Sequence, residues 1–233
     1  QGFKNTEDKH NVGIHEFVHI LDVADGYMDG IPSLFMPEEI PQLSKDFINN
    51  LSSYSFTEIA FEISKSLFQG TIPEKDLKDL LNKAISFPAP IVSLDKHLHV
   101  LELFHGPSLA FKDFGARFMS QLMSYFNKEE DKKLVILVAT SGDTGGAVAA
   151  GFHKTPGIEV VILYPKGKVS FLQEKQLTTL GHNISALEID GTFDDCQALV
   201  KQSFDDQELK ETIEYYRDSV TKACNIIISG KNV

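Results

Sequence analysis

Lys112 lies in the segment His105-Gly-Pro-Ser-Leu-Ala-Phe-Lys-Asp-Phe-Gly-Ala-Arg-Phe118, a lone amine among Ala110, Phe111 and Phe114. Apolar surroundings disfavour the charged form of an amine, and a neutral amine can form a Schiff base with a carbonyl. The plainer alternative is a solvated lysine opening an amphipathic helix. Further along, Ala139-Thr-Ser-Gly-Asp-Thr-Gly-Gly146 places a Ser/Gly/Thr turn where it would feed a helix. Backbone N–H groups of such a turn face a carboxylate or phosphate at the helix N-terminus. Here too a plainer alternative exists, in which Asp143 or Thr144 simply caps a strand–turn–helix connection. The loop is not G-x-x-x-x-G-K-[ST], so a nucleotide-binding P-loop is not supported. A third chemistry appears at His15-Glu-Phe-Val-His19. This H-E-x-x-H places two imidazoles one turn apart on one helix face, able to chelate zinc with Glu16 as base. A catalytic zinc needs a third protein ligand, and two ligands hold it weakly.

The elements that must position these groups follow from periodicity. Residues 1–33 are polar, with a short helical pattern at 12–21 and turn signals at Asp25-Gly26 and Asp29-Gly-Ile-Pro32. Apolar residues at helical spacing predict helices over 44–50 and 57–67, and Pro73 followed by Glu74 opens another over 73–85. From residue 98 the rhythm becomes strand then helix. Strands are expected at 99–104, 134–140, 159–164 and 184–189, and helices at 108–127, 145–153, 170–180 and 193–202. The run 134–140 is continuously apolar, as suits a strand buried on both faces. Strands alternating with helices imply a parallel sheet with right-handed crossovers. Ligands gather at the C-terminal ends of such strands, where the loop after Thr140 falls. Residues 203–233 read as charged and helical to Ala223, then as the apolar run Asn225-Ile-Ile-Ile-Ser229.

Composition narrows the partners. The chain has 233 residues, 42% hydrophobic and 24% charged, with a formal charge of −11. An acidic balance disfavours nucleic acid and anionic membranes as partners, while a locally basic pocket can still take an anionic small molecule. No apolar run reaches membrane-spanning length. The two cysteines, Cys196 and Cys224, form no metal or redox spacing and are expected in a reducing cytoplasm. The polar start is unlike a signal peptide, and a first residue of Gln rather than Met is expected of a trimmed or internal piece. Nothing in the sequence sets an oligomeric state.

Several motifs in order carry more weight than any one. The segment 34–202 resembles threonine synthase, a fold-type II pyridoxal-phosphate (PLP) enzyme. The likeness rests on Leu34-Phe-Met-Pro-Glu-Glu-Ile-Pro41, His105-Gly-Pro-Ser-Leu-Ala-Phe-Lys-Asp113, Ala139-Thr-Ser-Gly-Asp-Thr-Gly145, Tyr164-Pro-Lys-Gly-Lys-Val169 and Asp190-Gly-Thr-Phe-Asp-Asp-Cys196. The resemblance implies an α/β fold: a helical N-terminal region at 34–97 and a lysine-bearing parallel-sheet domain at 98–202. It implies that Lys112 is the catalytic lysine holding PLP, with O-phospho-L-homoserine and water converted to L-threonine and phosphate. Ser141, Gly142, Asp143, Thr144 and Gly145 are implied to lie against the cofactor and the substrate carboxylate, with Ser108, Asp113 and Arg117 shaping the pocket. The family's later half, with its cofactor-phosphate loop, has no counterpart after Gln202, so the α/β domain is expected to be truncated and the isolated chain inactive. Residues 203–233 are expected to depart from the family. Residues 1–33, through Asn11-Val-Gly-Ile-His-Glu-Phe-Val-His-Ile-Leu-Asp22, resemble instead the zinc peptidases linked to glucose regulation in bacteria. Two other readings therefore stand beside the synthase: a zinc-dependent peptidase through His15, Glu16 and His19, and a non-catalytic α/β module that binds a small molecule or a partner chain.

Overall fold

The computed structural model describes residues 41–68, 70–127, 134–209 and 225–229. Its first part is helical. Helix α1 (Lys45–Asn49) is opened by Ser44, whose hydroxyl accepts from the Phe47 amide at 3.1 Å. Helix α2 (Phe56–Leu67) begins on a reciprocal capping box between Ser55 and Glu58, and α3 (Glu74–Ala84) begins behind Pro73. Such caps satisfy amides that a helix start leaves without partners. Phe61, Leu77, Leu80 and Leu81 turn from α2 and α3 toward Ala116, Met119, Leu122 and Met123 of α4 (Lys112–Phe126), forming one core with them.

The strand expected at 99–104 forms differently. It is β2 (His99–Leu101), paired antiparallel with an unforeseen β1 (Ile91–Ser93) in an exposed two-stranded hairpin outside the parallel sheet. Asp95 Oδ1 accepts from the amides of His97 and Leu98 at 2.7 and 2.9 Å, closing a tight turn that returns the chain on itself. A side-chain acceptor of this kind makes a local hairpin easy to form without a crossover.

The parallel sheet is built by β3 (Leu134–Ala139), α5 (Asp143–Phe152), β4 (Ile158–Pro165), α6 (Phe171–Thr178), β5 (Ile184–Ile189), α7 (Phe193–Asp205) and β6 (Asn225–Ser229). The strand order is β5-β4-β3-β6, every pair parallel. Alternation along the strands separates two faces. Leu134, Ile136 and Val138 with Ile158, Val160 and Ile162 meet α4 and α5 on one side, and Ala139 and Leu163 meet Cys196 and Val200 of α7 on the other. Each fully buried aliphatic here contributes about 2 kcal/mol. Burial, reinforced by the Asp195 carboxylate, pushes the Cys196 thiol above its ordinary range. The apolar run of the tail, unplaced by the sequence, becomes β6 on the free side of β3. The chain thus steps outward from β3 to β5 and then returns to the far side of β3, so the order reverses between β3 and β6. Crevices at such reversals collect ligands. Among the described residues no helix is long and apolar enough to cross a membrane.

Helices α4 and α5 pack closely enough to need a glycine. A Cβ at Gly151 would sit 3.1 Å from the carbonyl carbon of Ala116 and 3.2 Å from its oxygen and from the Arg117 nitrogen, all of them backbone atoms. Replacing Gly151 by leucine, a better helix former, should lower stability by about 2 kcal/mol through overpacking. A urea midpoint that falls with an unchanged slope would show it.

Candidate functional site

Lys112 is the first residue of α4 and extends its amine toward α5. The chain reaches it through a tight turn in which Leu109 takes a φ of 61°, and the Leu109 amide donates to the Gly106 carbonyl at 3.1 Å. The turn is held from within by Asp113, which is wholly buried: its Oδ2 accepts from the Ser108 amide at 2.9 Å. A carboxylate in the first turn also suits the positive end of the helix. Lys112 Nζ, half-buried, donates to Thr144 Oγ1 at 2.5 Å. Of the rings expected to cover the amine, Phe111 is 59% exposed and Phe114 packs on Phe56 and Phe87.

The loop 140–142 leaves the C-terminal end of β3 and starts α5. Thr140, buried to 0% exposure, accepts from the amides of Gly142 and Gly145 on its Oγ1, at 3.0 and 2.8 Å. Two of the amides expected to face an anion are therefore turned onto this hydroxyl. Gly142 takes a φ of 139°, which a side chain would resist, and an added Cβ would meet the Gln173 amide at 2.5 Å. Thr144 is buried, while Asp143 is exposed and accepts from Gln173 Nε2 at 2.7 Å.

The structure thus brings Lys112, Ser108, Asp113, Thr144 and the glycine loop to one place. Arg117 serves elsewhere. Its Nε donates to the Ala84 carbonyl at 2.8 Å and its Nη2 to the Lys83 carbonyl and Ser86 Oγ, so it ties α4 to the end of α3. Two buried atoms by the lysine have no hydrogen-bond partner, Ser108 Oγ and Asp113 Oδ1. Nearby, Glu102 and His105 pair at 2.8 Å. At the end of β4, burial, with Glu188 and then Glu174 adding, pushes the Tyr164 phenol up, so it stays a neutral hydroxyl. Sequence reasoning missed Thr140, Gln173 and Gln176. Only Gln173 had a signal, as the last residue of the Ser170-x-x-Gln capping box. His15, Glu16 and His19 lie outside the described residues, among which no group of three metal-ligating side chains occurs.

Comparison with known proteins gives this geometry its family. A profile described as "Pyridoxal-phosphate dependent enzyme" matches residues 87–226, the lysine segment, the glycine loop and the whole sheet up to the first residues of β6. The chain belongs to this family. A second profile, "Threonine synthase N terminus", matches residues 27–85. The chain is 49% identical over 177 residues to the threonine synthase of Escherichia coli, covering 76% of itself and 41% of that relative. It is 51% identical over 180 residues to that of Haemophilus influenzae, covering 77% of itself and again 41% of the relative. Among solved structures it resembles threonine synthase from E. coli, with a TM-score of 0.73 at 45% identity, covering 83% of this chain and 45% of that one. It also resembles a PLP-bound threonine synthase from Brucella melitensis, with a TM-score of 0.73 at 33% identity, covering 94% of this chain and 45% of that one. The α/β architecture is that of fold-type II, and the chain spans about two fifths of the length of its curated relatives. The profile match runs beyond Gln202 into the tail expected to depart from the family.

Thr140 offers a direct test of how the loop is held. Thr140→Val keeps the shape but leaves two buried amides without an acceptor, at a cost of about 1–3 kcal/mol each. Thr140→Ser keeps the acceptor and should cost less than half as much. Urea denaturation of the two variants, with amide exchange read at Gly142 and Gly145, checks the difference.

Proposed function

We propose that this chain supplies the amine-bearing part of a PLP-dependent threonine synthase, which converts O-phospho-L-homoserine and water to L-threonine and phosphate. The activity and substrate are those of the whole family fold, of which this chain spans about two fifths. Segments 34–97, with helices α1 to α3 and strand β1, and 98–202, with the lysine and the glycine loop, are its two working parts. One observation carries the reading: Lys112 Nζ meets Thr144 Oγ1 at 2.5 Å, joining the two motifs whose chemistry a carbonyl cofactor needs.

The residues present fit the cofactor. A primary amine is held by a hydroxyl rather than by a carboxylate, and the buried Ser108 Oγ and Asp113 Oδ1 beside it have no protein partner. Buried polar atoms without partners are rare, and a bound ligand is one explanation for them. When bound, PLP supplies an electron sink for charge that develops on the substrate carbons. Lys112 would hold it through the amine, and the same amine would move protons at the substrate Cα and Cβ. Thr144 orients that amine through its hydroxyl oxygen. Ser141, Gly142, Asp143 and Gly145 would hold the cofactor and the substrate carboxylate, at the end of β3 where a helix N-terminus favours an anion. Asp113 fixes the turn from which the lysine projects, and Arg117 holds α4 against α3 so that the turn stays in place.

Incubation with PLP tests the reading without requiring turnover. A violet-region absorbance band that borohydride removes, with the reduced adduct mapped to Lys112, is the expected result. Lys112→Ala should abolish both band and adduct, and a wild-type chain that develops no band overturns the proposal.

A further inference from the structure

Helix α6 carries two glutamines one turn apart, and each reaches a different half of the site. Gln173 Nε2 donates to Asp143 Oδ1 at 2.7 Å, on the glycine loop. Gln176 Nε2 donates to the Ser108 carbonyl at 3.3 Å, on the turn leading to the lysine. Residues at this spacing share one helix face, so a single short helix touches both segments that frame Lys112.

The Gln173 amide is fixed in one orientation. Its Oε1 accepts from the Ser170 amide at 3.1 Å and from the Ser170 hydroxyl at 2.9 Å, while its Nε2 faces the Asp143 carboxylate. With the two ends exchanged, an NH2 would oppose the Ser170 N–H and a carbonyl would oppose a carboxylate. The same amide fills the space above Gly142, where an added Cβ would lie 2.5 Å from its Cδ and Nε2. The absent side chain at 142 and the glutamine on α6 are therefore matched parts. The cap of α6 and the placement of Asp143 depend on one side chain.

We infer that Gln173 is a positioning residue for the cofactor site: it anchors the Asp143 carboxylate, and with Gln176 on the Ser108 carbonyl it makes α6 a brace between the glycine loop and the lysine turn. The inference rests on the reading of Lys112 as the cofactor-bearing amine, and its test separates the two.

Gln173→Glu is the informative variant. A glutamate at this position keeps the acceptor that caps α6, since Ser-x-x-Glu is an equally good capping box. It also removes the donor to Asp143 and sets two carboxylates face to face. If the glutamine served only as a cap, the variant would behave as wild type. In the full chain without cofactor, amide exchange over 141–145 should quicken about tenfold, as expected for one lost hydrogen bond to a charged group. The paired variant Asp143→Asn with Gln173→Glu restores a donor and an acceptor with roles reversed, and should return exchange to the wild-type rate. With PLP added, the concentration that half-saturates borohydride-trapped adduct at Lys112 should rise about tenfold in Gln173→Glu and return toward the wild-type value in the paired variant. Unchanged exchange in Gln173→Glu overturns the inference, and so does faster exchange with unchanged half-saturation. A wild-type chain that captures no PLP overturns the cofactor reading instead, and the exchange measurement then decides the brace alone. Gln173→Met, which deletes the donor without adding charge, keeps the test open should the glutamate variant not fold.

Discussion

The close approach of α4 and α5 is the constraint on which the site depends. Where Gly151 faces Ala116 and Arg117, the two helix backbones are so close that even a Cβ would have to push one of them back by a few tenths of an ångström. Because the rise per residue of a helix is fixed, that contact sets how far Lys112, one turn before Ala116, stands from the start of α5. Two residues from different motifs, Lys112 and Thr144, then meet at hydrogen-bond distance. The contact is local in space and distant in sequence, and it holds because the core beneath it, from Met119 and Leu122 to Val148 and Phe152, has nowhere to relax.

Polar groups around this contact are satisfied with few residues. Thr140 accepts two amides on one oxygen, and Asp113 accepts one on Oδ2. Both residues are fully buried, so each bond replaces water that the backbone can no longer reach. The protein thereby fixes two loops through one oxygen of each side chain. The groups left over, Ser108 Oγ and Asp113 Oδ1, lie on the lysine side rather than the loop side. The site is therefore rigid where α5 begins and polar where α4 begins.

Much of this was legible from residue order. The runs 134–140 and 159–164 are largely apolar because the sheet is covered on both faces there, whereas 184–189 at the edge is half open. The observed strands differ from all three by a residue at most at either end. The capping boxes at Ser55, Ser170 and Thr192 that open α2, α6 and α7 drew no expectation, although their spacing is present in the chain. The hairpin strand Ile91–Ser93 was hidden because it is three residues long and exposed, with no buried face to impose a pattern. Arg117 was expected to shape the pocket only through the family resemblance, whereas its partners, the carbonyls of Lys83 and Ala84, are backbone atoms at a helix end that no sequence pattern marks. Gln173 and Gln176 carry no charge and match no ligand motif, and beyond the capping box that marks Gln173 only their positions in space reveal their reach to the site. The tail run at 225–229 was apolar enough to be noticed, but its partner β3 could not be read locally, because parallel pairing has no turn to announce it.

That last pairing has a consequence for how the protein comes to be. Strand β3 is flanked by β4 on one side and by β6 on the other, and β6 is the last described element in the chain. During synthesis from the N-terminus, the β3–β4–β5 sheet can assemble while the other edge of β3 still displays unpaired backbone groups. An exposed apolar edge of this kind invites pairing with other chains. That edge also lies at the strand reversal beside the glycine loop, so until β6 pairs a nascent chain would be most prone to association next to the loop that follows Thr140.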